Sequence, residues 1–308
     1  MGEKNAISSQ RAAKAGQPGY TRFIILSDAR TGSHMLAQAL NSSRNIVCFR
    51  EVFNETLDFI QYGVEGYDNF STEDKALRQE EPLRFLDERI FCRYPDKIKA
   101  VGFKYHYGHV FGFPGVVERL AEDTGLRVLH LRRRNKLRML ASLRIAEQTG
   151  IWMREGQPEP VRVSAPAAAW AAVLGGLRLP VRAVRKTLRL LGLMAPHELP
   201  EEGPRIQATI SLEELVHFNI AAHMTADHFD ELFQDHPKME LYYEDILENR
   251  ERAYTQVQAF LGAEPRSLFD TTYRQNPLPL HELVANYDEL YEAVQSGPHP
   301  DYYSAFFD

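Results

Sequence analysis

Two segments of the sequence carry residues whose types and order suit the binding of an anion. The first is Arg30-Thr31-Gly32-Ser33, which follows a short apolar run and precedes a stretch with helical spacing. Backbone N–H groups at the start of a helix point outward, and the helix dipole favours negative charge there. Arg30 adds a positive charge, while Thr31 and Ser33 add hydroxyl donors. The GxxxxGK[ST] loop of ordinary nucleotide hydrolases is absent, which argues against an ATPase.

The second segment places Arg134 at the end of an apolar run and Ser142 eight residues later, within a helical stretch. An arginine at a strand end and a serine on the following helix can hold a phosphate from two sides. Each segment alone is also compatible with a structural function. The first would then be a helix cap, and the second would be the solvated basic start of a helix.

Further along the anion-binding edge, three residues could handle protons or charge. Glu51 follows a predicted strand, where a parallel sheet presents its ligand-binding edge. Lys104 and His106 share one face of another strand because side chains alternate with a period of two. Either Glu51 or His106 could accept a proton, since a histidine near neutral pKa suits general-base work. Ordinary structural functions for the two are a surface salt bridge and a strand-end histidine.

These residues need a scaffold, and the pattern of apolar runs predicts one. Short apolar runs predict buried strands at Arg22–Ser27, Ile46–Phe49, Lys99–His106, Arg127–Arg132 and Lys238–Tyr243. Helical spacing predicts helices at 34–41, 114–124, 135–147 and 249–261, with partial helix in 55–97. Alternating strands and helices favour an α/β fold, with a mostly parallel sheet flanked by helices on both faces.

Composition limits the classes of partner. The net charge of −6 argues against a general nucleic-acid binder, so any anion site must be a local basic pocket. Cys48 and Cys92 lie in no CxxC or Cys/His cluster, so we expect neither a disulfide framework nor a metal site. The polar first 20 residues lack the apolar core of a signal peptide, and we expect a cytoplasmic protein.

The chain of 308 residues fits a single domain at 21–308, preceded by a flexible tail at 1–20. Residues 151–204 break the alternation of strands and helices, so we interpret them as an insertion or lid. Within it, an uncharged stretch beginning at Val163 leads into five positive charges between Arg178 and Arg189. Residues 163–194 could therefore contact a membrane surface or an acidic acceptor, although a packed lid helix explains them equally simply.

The two anion segments together resemble the sulfotransferase family. Its first motif, a basic residue before Ser/Thr-Gly-Ser/Thr, matches residues 30–33, and its second matches Arg134 and Ser142 with Asn135 between them. The bacterial carbohydrate sulfotransferases of the nodulation-factor and trehalose types look most similar. Further matching stretches are Phe49–Phe53, Tyr243-Glu244-Asp245, Gln275-Asn276-Pro277 and Asn286-Tyr287-Asp288-Glu289.

The resemblance implies a P-loop-like sulfotransferase fold and a donor, 3′-phosphoadenosine-5′-phosphosulfate (PAPS), that is released as adenosine 3′,5′-bisphosphate. Residues 30–33 would bind the 5′-phosphosulfate, and Arg134 with Ser142 would bind the 3′-phosphate. His34 and Met35 occupy donor-binding positions where the family usually has a hydroxyl residue and a tryptophan. The acceptor would be a hydroxyl of a carbohydrate, a glycolipid or another small molecule, and no metal is implied.

The resemblance also bears on the base. Glu51 matches the base of the carbohydrate branch, and the Lys104-x-His106 pair matches the cytosolic branch. We prefer Glu51 and keep His106 as the alternative. Two other classes of function also stay open, namely a P-loop nucleotide-binding or kinase-like protein and an inactive sulfotransferase-like binding protein.

Overall fold

The computed structural model describes residues 19–55, 67, 70–113, 115–151, 206–269 and 278–307. The strands are β1 (Thr21–Ser27), β2 (Ile46–Phe49), β3 (Ala100–His106), β4 (Arg127–Arg132) and β5 (Lys238–Tyr242). The first helices are α1 (Ser33–Asn41), α2 (Thr72–Glu80), α3 (Pro82–Phe85), a π-helical turn (Leu86–Ile90), a 3₁₀ helix (Tyr107–Phe111), α4 (Val116–Glu122) and α5 (Lys136–Thr149). The later helices are α6 (Leu212–Leu232), α7 (Tyr243–Glu248), α8 (Arg250–Phe260), α9 (Leu280–Leu283), α10 (Tyr287–Ser296) and α11 (Pro300–Ser304).

The strands form one parallel sheet in the order β2-β3-β1-β4-β5. Ser27 at the end of β1 lies opposite His106 at the end of β3. On the other side of β3, the Lys104 backbone N–H donates to the Arg50 carbonyl 3.1 Å away, just beyond β2. The loops that follow β1, β2 and β3 therefore share one edge of the sheet, where ligands of such folds bind.

Both faces of the sheet are covered, as the near-continuous apolar strands predict. Phe23 and Ile25 of β1 pack into a core that contains α1 and α8, while Ile24 and Leu26 pack with α4 and α6. The alternation follows from the two-residue period of a strand. The predicted α/β class, with a parallel sheet between helices, is confirmed.

The structure also contains helices that the sequence patterns did not predict. The longest is α6, whose buried positions are Leu215, Asn219, Ala222, Ala226 and Phe229. These positions follow helical spacing, but two alanines and an asparagine among them make a faint apolar stripe. The three C-terminal helices were missed because each spans only 4 to 10 residues. The helix predicted from residue 114 begins at Val116.

Several expectations fall outside the described residues. They are the flexible tail, except for residues 19 and 20, nearly all of the 151–204 insertion with its 163–194 stretch, and the Gln275-Asn276-Pro277 segment. The domain boundaries and the function of the insertion therefore stay predictions. Among the helices that the structure describes, none is both long enough and apolar enough to cross a membrane.

The two cysteines lie in separate parts of the core, and both are free and buried. Cys48 lies in β2 beneath α1, whereas Cys92 packs on the opposite face of the sheet. Burial raises the pKa of the Cys48 thiol to about 12, although the Lys104 and Arg50 charges oppose this shift. Cys48 is therefore a packed thiol at neutral pH and not a reactive one.

Gly102 permits the close approach of β3 to β1. A Cβ on Gly102 would overlap the carbonyl oxygen and the ring of Phe23, its partner in the sheet. We expect Gly102→Ala to lower the free energy of unfolding by about 1–3 kcal/mol through overpacking, as measured by urea denaturation. Gly108→Ala is the matched control, since its Cβ would meet nothing within 4 Å. Equal losses in both variants would contradict this assignment.

Candidate active site

The turn between β1 and α1 has a backbone shape that few residues can adopt. Gly32 caps α1 with φ of 88°, and a Cβ there would overlap the Tyr243 ring. Arg30 also has a positive φ, 64°, which is uncommon for a residue with a side chain. The strained turn aims the first N–H groups of α1 toward the shared edge of the sheet, where an anion can use them.

Polar contacts fix this loop, which we call the anion loop (residues 28–33), to its surroundings. The Thr31 hydroxyl donates to the Asp28 carbonyl at 2.8 Å. Arg30 Nε donates to Ser142 Oγ on α5 at 2.9 Å, and Arg133 donates to the Arg30 carbonyl at 2.9 Å. Burial and the Arg133 charge lower the pKa of Arg30 to about 10, so its guanidinium stays charged at neutral pH.

The structure treats the two residues of the second predicted motif differently. Ser142 is buried and reaches the anion loop through Arg30. The Arg134 side chain is 51% exposed and forms a bidentate ion pair with Asp245, and its guanidinium carbon lies 4.0 Å from the centre of the Tyr242 ring. A phosphate bound by Arg134 would therefore compete with the Asp245 carboxylate.

The three predicted catalytic residues meet around one carboxylate. Lys104 Nζ donates to Glu51 Oε1 at 2.7 Å, and Asn54 donates to Oε2 at 2.9 Å. His106 Nε2 lies 3.8 Å from Oε1, and His109 Nε2 lies 3.9 Å from Oε2. We call these five residues the Glu51 cluster. It forms because Glu51 follows β2, while Lys104 and His106 lie on the neighbouring strand β3.

One contact joins the Glu51 cluster to the anion loop. Ser33 Oγ, in the first turn of α1, lies 3.2 Å from Nε2 of His106. Ser33 follows the loop after β1, and His106 ends β3, which is adjacent to β1 in the sheet. A ligand bound at the anion loop would therefore lie beside the groups that can accept its proton or stabilise its charge.

Opposing influences set the pKa of Glu51. Burial raises it, but the nearby Lys104 ammonium, His106 and the hydrogen bonds from Lys104 and Asn54 together lower it well below its usual range. The carboxylate is thus ionised at neutral pH and closely paired with a buried ammonium, since the side chains of Lys104 and Glu51 are 3% and 11% exposed.

The nearby histidines are neutral at physiological pH. The pKa of His106 is lowered to about 4, and those of His34 and His109 to about 3; burial is the main cause and the Lys104 charge adds to it, while the Glu51 carboxylate opposes them. His34 follows Ser33 in the first turn of α1. Met35 is buried in the core beneath α1, so only its backbone could reach a ligand.

His109 and Asn54 are members of the Glu51 cluster that sequence reasoning missed, although His109 lies in a His-x-x-His spacing with His106. The 3₁₀ helix after β3 turns His109 back toward Glu51, so that the two imidazoles stack with centroids 5.1 Å apart. Its Nδ1 accepts the backbone N–H of His106 at 3.2 Å. A neutral imidazole that accepts at Nδ1 carries its hydrogen on Nε2, so His109 presents an N–H toward Glu51.

Ligand atoms of Glu51, His106 and His109 lie within 4.8 Å of one another, which is close enough to consider a metal ion. Two features argue against one. The Lys104 ammonium already pairs with the carboxylate, and the hydrogen on Nε2 of His109 occupies the position of a metal bond. The arrangement favours a carboxylate held by hydrogen-bond donors.

A cavity of about 300 Å³ opens on another side of the anion loop. Four basic residues from one segment, 132–136, line it together with the Asp28 carboxylate and several aromatic rings. The lining residues that matter here are Thr31, Arg132, Arg133, Arg134, Lys136 and Tyr242. Positive charge beside aromatic rings suits a ligand with both an anionic group and a ring.

Comparison with known proteins finds a similar sequence over most of the chain. No protein-family model matches. Nodulation protein H of Rhizobium tropici is 25% identical over 296 residues, which cover 94% of each chain. The chain is a relative of Nodulation protein H. This relationship confirms the resemblance to sulfotransferases of the nodulation-factor type.

Two further matches are more limited. Nodulation protein H of Rhizobium meliloti strain 1021 is 31% identical over 137 residues, 43% of this chain and 50% of that protein. A crystal structure of a sulfotransferase from Alicyclobacillus acidocaldarius aligns over 95% of this chain and 96% of its own, with 14% identity and a TM-score of 0.42.

The neutral histidines make the stability of this Nodulation protein H relative depend on pH. The folded-state pKa values of His34, His106 and His109 lie below the unfolded value of about 6.5, so the unfolded chain binds more protons as pH falls. The stabilisation is complete above pH about 6.5 and is lost as pH falls toward the folded values. We expect urea denaturation to show the free energy of unfolding falling between pH 7 and 5.

A single variant tests the origin of this dependence. Each histidine that stays neutral in the folded protein contributes at most about 1.4 kcal/mol per pH unit, so His109→Gln should flatten the pH dependence by up to that amount. The exposed His281 provides the control, and His281→Gln should leave the slope unchanged. A stability that is flat or rises from pH 7 to 5 in the parent protein would refute the explanation.

Proposed function

We propose that the chain transfers a sulfuryl group from PAPS to a hydroxyl of a carbohydrate-type acceptor. The observation that carries the proposal is the Ser33–His106 contact, which joins the anion loop to the Glu51 cluster at one edge of the sheet. The relationship to Nodulation protein H supports the sulfotransferase class. The resemblance of the motifs implies the PAPS donor and the carbohydrate, glycolipid or other small acceptor.

The shape and charge of the anion loop fit the phosphosulfate end of the donor. Gly32 leaves no Cβ between the loop and the Tyr243 ring, and the first N–H groups of α1 are available as donors. Arg30, held by Ser142, and Lys104, paired with Glu51, supply positive charge. The cavity that Thr31 and Arg134 both line has the cations and aromatic rings that a nucleotide would need.

Transfer forms a bond from the acceptor oxygen to sulfur and breaks the bond from sulfur to the donor phosphate oxygen. Negative charge therefore develops on that phosphate, and donors that are already oriented stabilise it most effectively. Arg30, Lys104 and the loop N–H groups are the residues we assign to this stabilisation. Because the departing group gains charge only as the reaction proceeds, their electrostatic effect is greatest in the transition state.

We assign the acceptor proton to Glu51. Without a bound donor, the pKa of Glu51 is low because the Lys104 ammonium stabilises its carboxylate. An anionic donor that also interacts with Lys104 would weaken this stabilisation and raise the pKa of Glu51. Once Glu51 is protonated, its charge is gone, and the Lys104 ammonium is left to interact with the departing phosphate. Proton acceptance and leaving-group stabilisation are coupled through the one ion pair.

Separate substitutions of the two candidate bases, Glu51 and His106, test this assignment. Glu51→Gln should reduce kcat by about 100- to 10,000-fold while changing donor affinity little, because the loss of a general base affects the chemical step. Radiolabelled sulfate transfer from PAPS into a panel of glycans, glycolipids and phenols measures it. His106→Gln is the comparison variant. Near-normal turnover in Glu51→Gln and abolished turnover in His106→Gln would assign the proton to His106 instead.

Calorimetry with two nucleotides tests the donor site. Arg134→Ala should weaken binding of adenosine 3′,5′-bisphosphate by about 1.5–3 kcal/mol, with a smaller effect on adenosine 5′-phosphosulfate, which lacks the 3′-phosphate. Ser142→Ala should weaken both, because Ser142 also holds Arg30. Asp245→Asn removes the competing carboxylate, so it should not weaken binding. Equal losses for both nucleotides in Arg134→Ala would refute the 3′-phosphate assignment.

The same transfer assay separates the remaining classes of function. A kinase-like protein would transfer phosphate from labelled ATP, whereas an inactive binding protein would retain nucleotide affinity without any transfer. Binding to an amphiphilic or anionic acceptor through 163–194, and a cytoplasmic location, stay predictions for this chain.

A further inference from the structure

Three side chains outside the Glu51 cluster, those of Tyr107, His130 and Asp230, form a series of hydrogen bonds that the mechanism above does not use. His130 of β4 is fully buried, and its Nδ1 lies 2.9 Å from a carboxylate oxygen of Asp230 on α6. Its Nε2 lies 2.5 Å from the hydroxyl of Tyr107. The three side chains thus link the 3₁₀ helix after β3, the strand β4 and the helix α6.

The surrounding charges determine which group donates in the Asp230–His130 and His130–Tyr107 hydrogen bonds. Asp230 forms ion pairs with Arg132 and with Lys238, whose Nζ lies 2.6 Å away. The pKa of His130 is lowered to about 3, mainly by burial and also by the Arg132 and Lys238 charges, while Asp227 opposes them. A neutral imidazole beside a carboxylate donates from Nδ1, so Nε2 accepts and the Tyr107 hydroxyl donates to it.

Among these three hydrogen-bonded side chains, Tyr107 lies nearest in sequence to the Glu51 cluster. It directly follows His106, whose side chain contacts Ser33, whereas the Tyr107 side chain contacts His130 and Phe229. The Tyr107 ring stacks on Phe229 of α6 with centroids 4.8 Å apart and an interplanar angle of 21°. With its ring stacked and its hydroxyl bonded, Tyr107 holds the start of the turn that carries His106 and His109.

We propose that Asp230, His130 and Tyr107 form a positioning relay that sets the orientation of His106 and His109 around Glu51. The relay acts through the backbone, because the His106 N–H donates to His109 and the two imidazoles stack on each other. None of its three members touches Glu51 among the contacts described above, so they are positioning residues. The expected effect on kcat rests on the proposed function, whereas the expected effect on the orientation of His106 and His109 does not.

The chain offers a matched pair of variants for the test. Tyr107→Phe removes the hydroxyl of the relay and keeps the stacked ring. Tyr105→Phe makes the same change two residues earlier, where the buried hydroxyl has no hydrogen-bond partner among the residues that the structure describes. Both tyrosines are core residues of β3 or of the turn after it, so any general effect of losing a buried hydroxyl appears in both.

We expect Tyr107→Phe to lower kcat by about 10- to 100-fold, because small misplacements of reacting groups have effects of that size. Because Tyr107 lines the cavity beside the anion loop, kcat is measured at saturating donor, and its pH dependence should also shift. Tyr105→Phe should match the parent protein in both measurements. Equal kcat values and equal pH profiles for Tyr107→Phe and the parent would overturn the proposal.

Nuclear magnetic resonance tests the relay without any assay of activity. In the parent protein, ¹H–¹⁵N spectra should place the His130 hydrogen on Nδ1, and Tyr107→Phe should shift the ring signals of His106 and His109 while Tyr105→Phe does not shift those of His106. A hydrogen on Nε2 of His130, or unmoved signals in Tyr107→Phe, would overturn the relay. If the relay signals behave as expected and no sulfate is transferred, the proposed function fails and the relay stands.

Discussion

The Glu51 carboxylate and the Lys104 ammonium meet 2.7 Å apart in a part of the protein that water barely reaches. Removing two charges from water is costly, and only close pairing with additional hydrogen bonds offsets that cost. Asn54 supplies one such bond, and the adjacent strands β2 and β3 hold the pair together. Burial keeps His34, His106 and His109 neutral, and the positive charge of Lys104 further disfavours their protonation.

The same constraint orders the rest of the candidate site. A neutral His106 can accept a hydrogen bond from Ser33, whereas a protonated one would have no lone pair at Nε2 for that bond. The anion loop and the Glu51 cluster are thereby linked through an uncharged contact. The positive charge comes from lysine and arginine side chains instead, among them Lys104, which pairs with Glu51, and Arg30, which Ser142 and Arg133 hold in place.

Much of this architecture was predictable from the sequence, because strands buried on both faces are short apolar runs with distinct ends. All five strands were predicted to within a residue or two, and the positions of Glu51, Lys104 and His106 at one edge follow from a parallel sheet. What escaped prediction depends on tertiary contacts. His109 reaches Glu51 only through a 3₁₀ turn. Arg134 pairs with Asp245 of α7, which lies 111 residues later in the sequence. The helix α6 buries small residues, which leave only a weak apolar pattern.

Cys48 lies in the core beneath α1, fully enclosed, with a thiol whose pKa burial raises to about 12. Alkylating reagents attack thiolates, so in the folded protein they lack both the ionised sulfur and a path to it. The strand that carries Cys48 also carries the backbone leading to Glu51, so exposing the thiol requires the sheet edge at the site to come apart. The rate at which Cys48, as distinct from Cys92, is alkylated in the folded protein therefore reports how often this edge of the sheet opens.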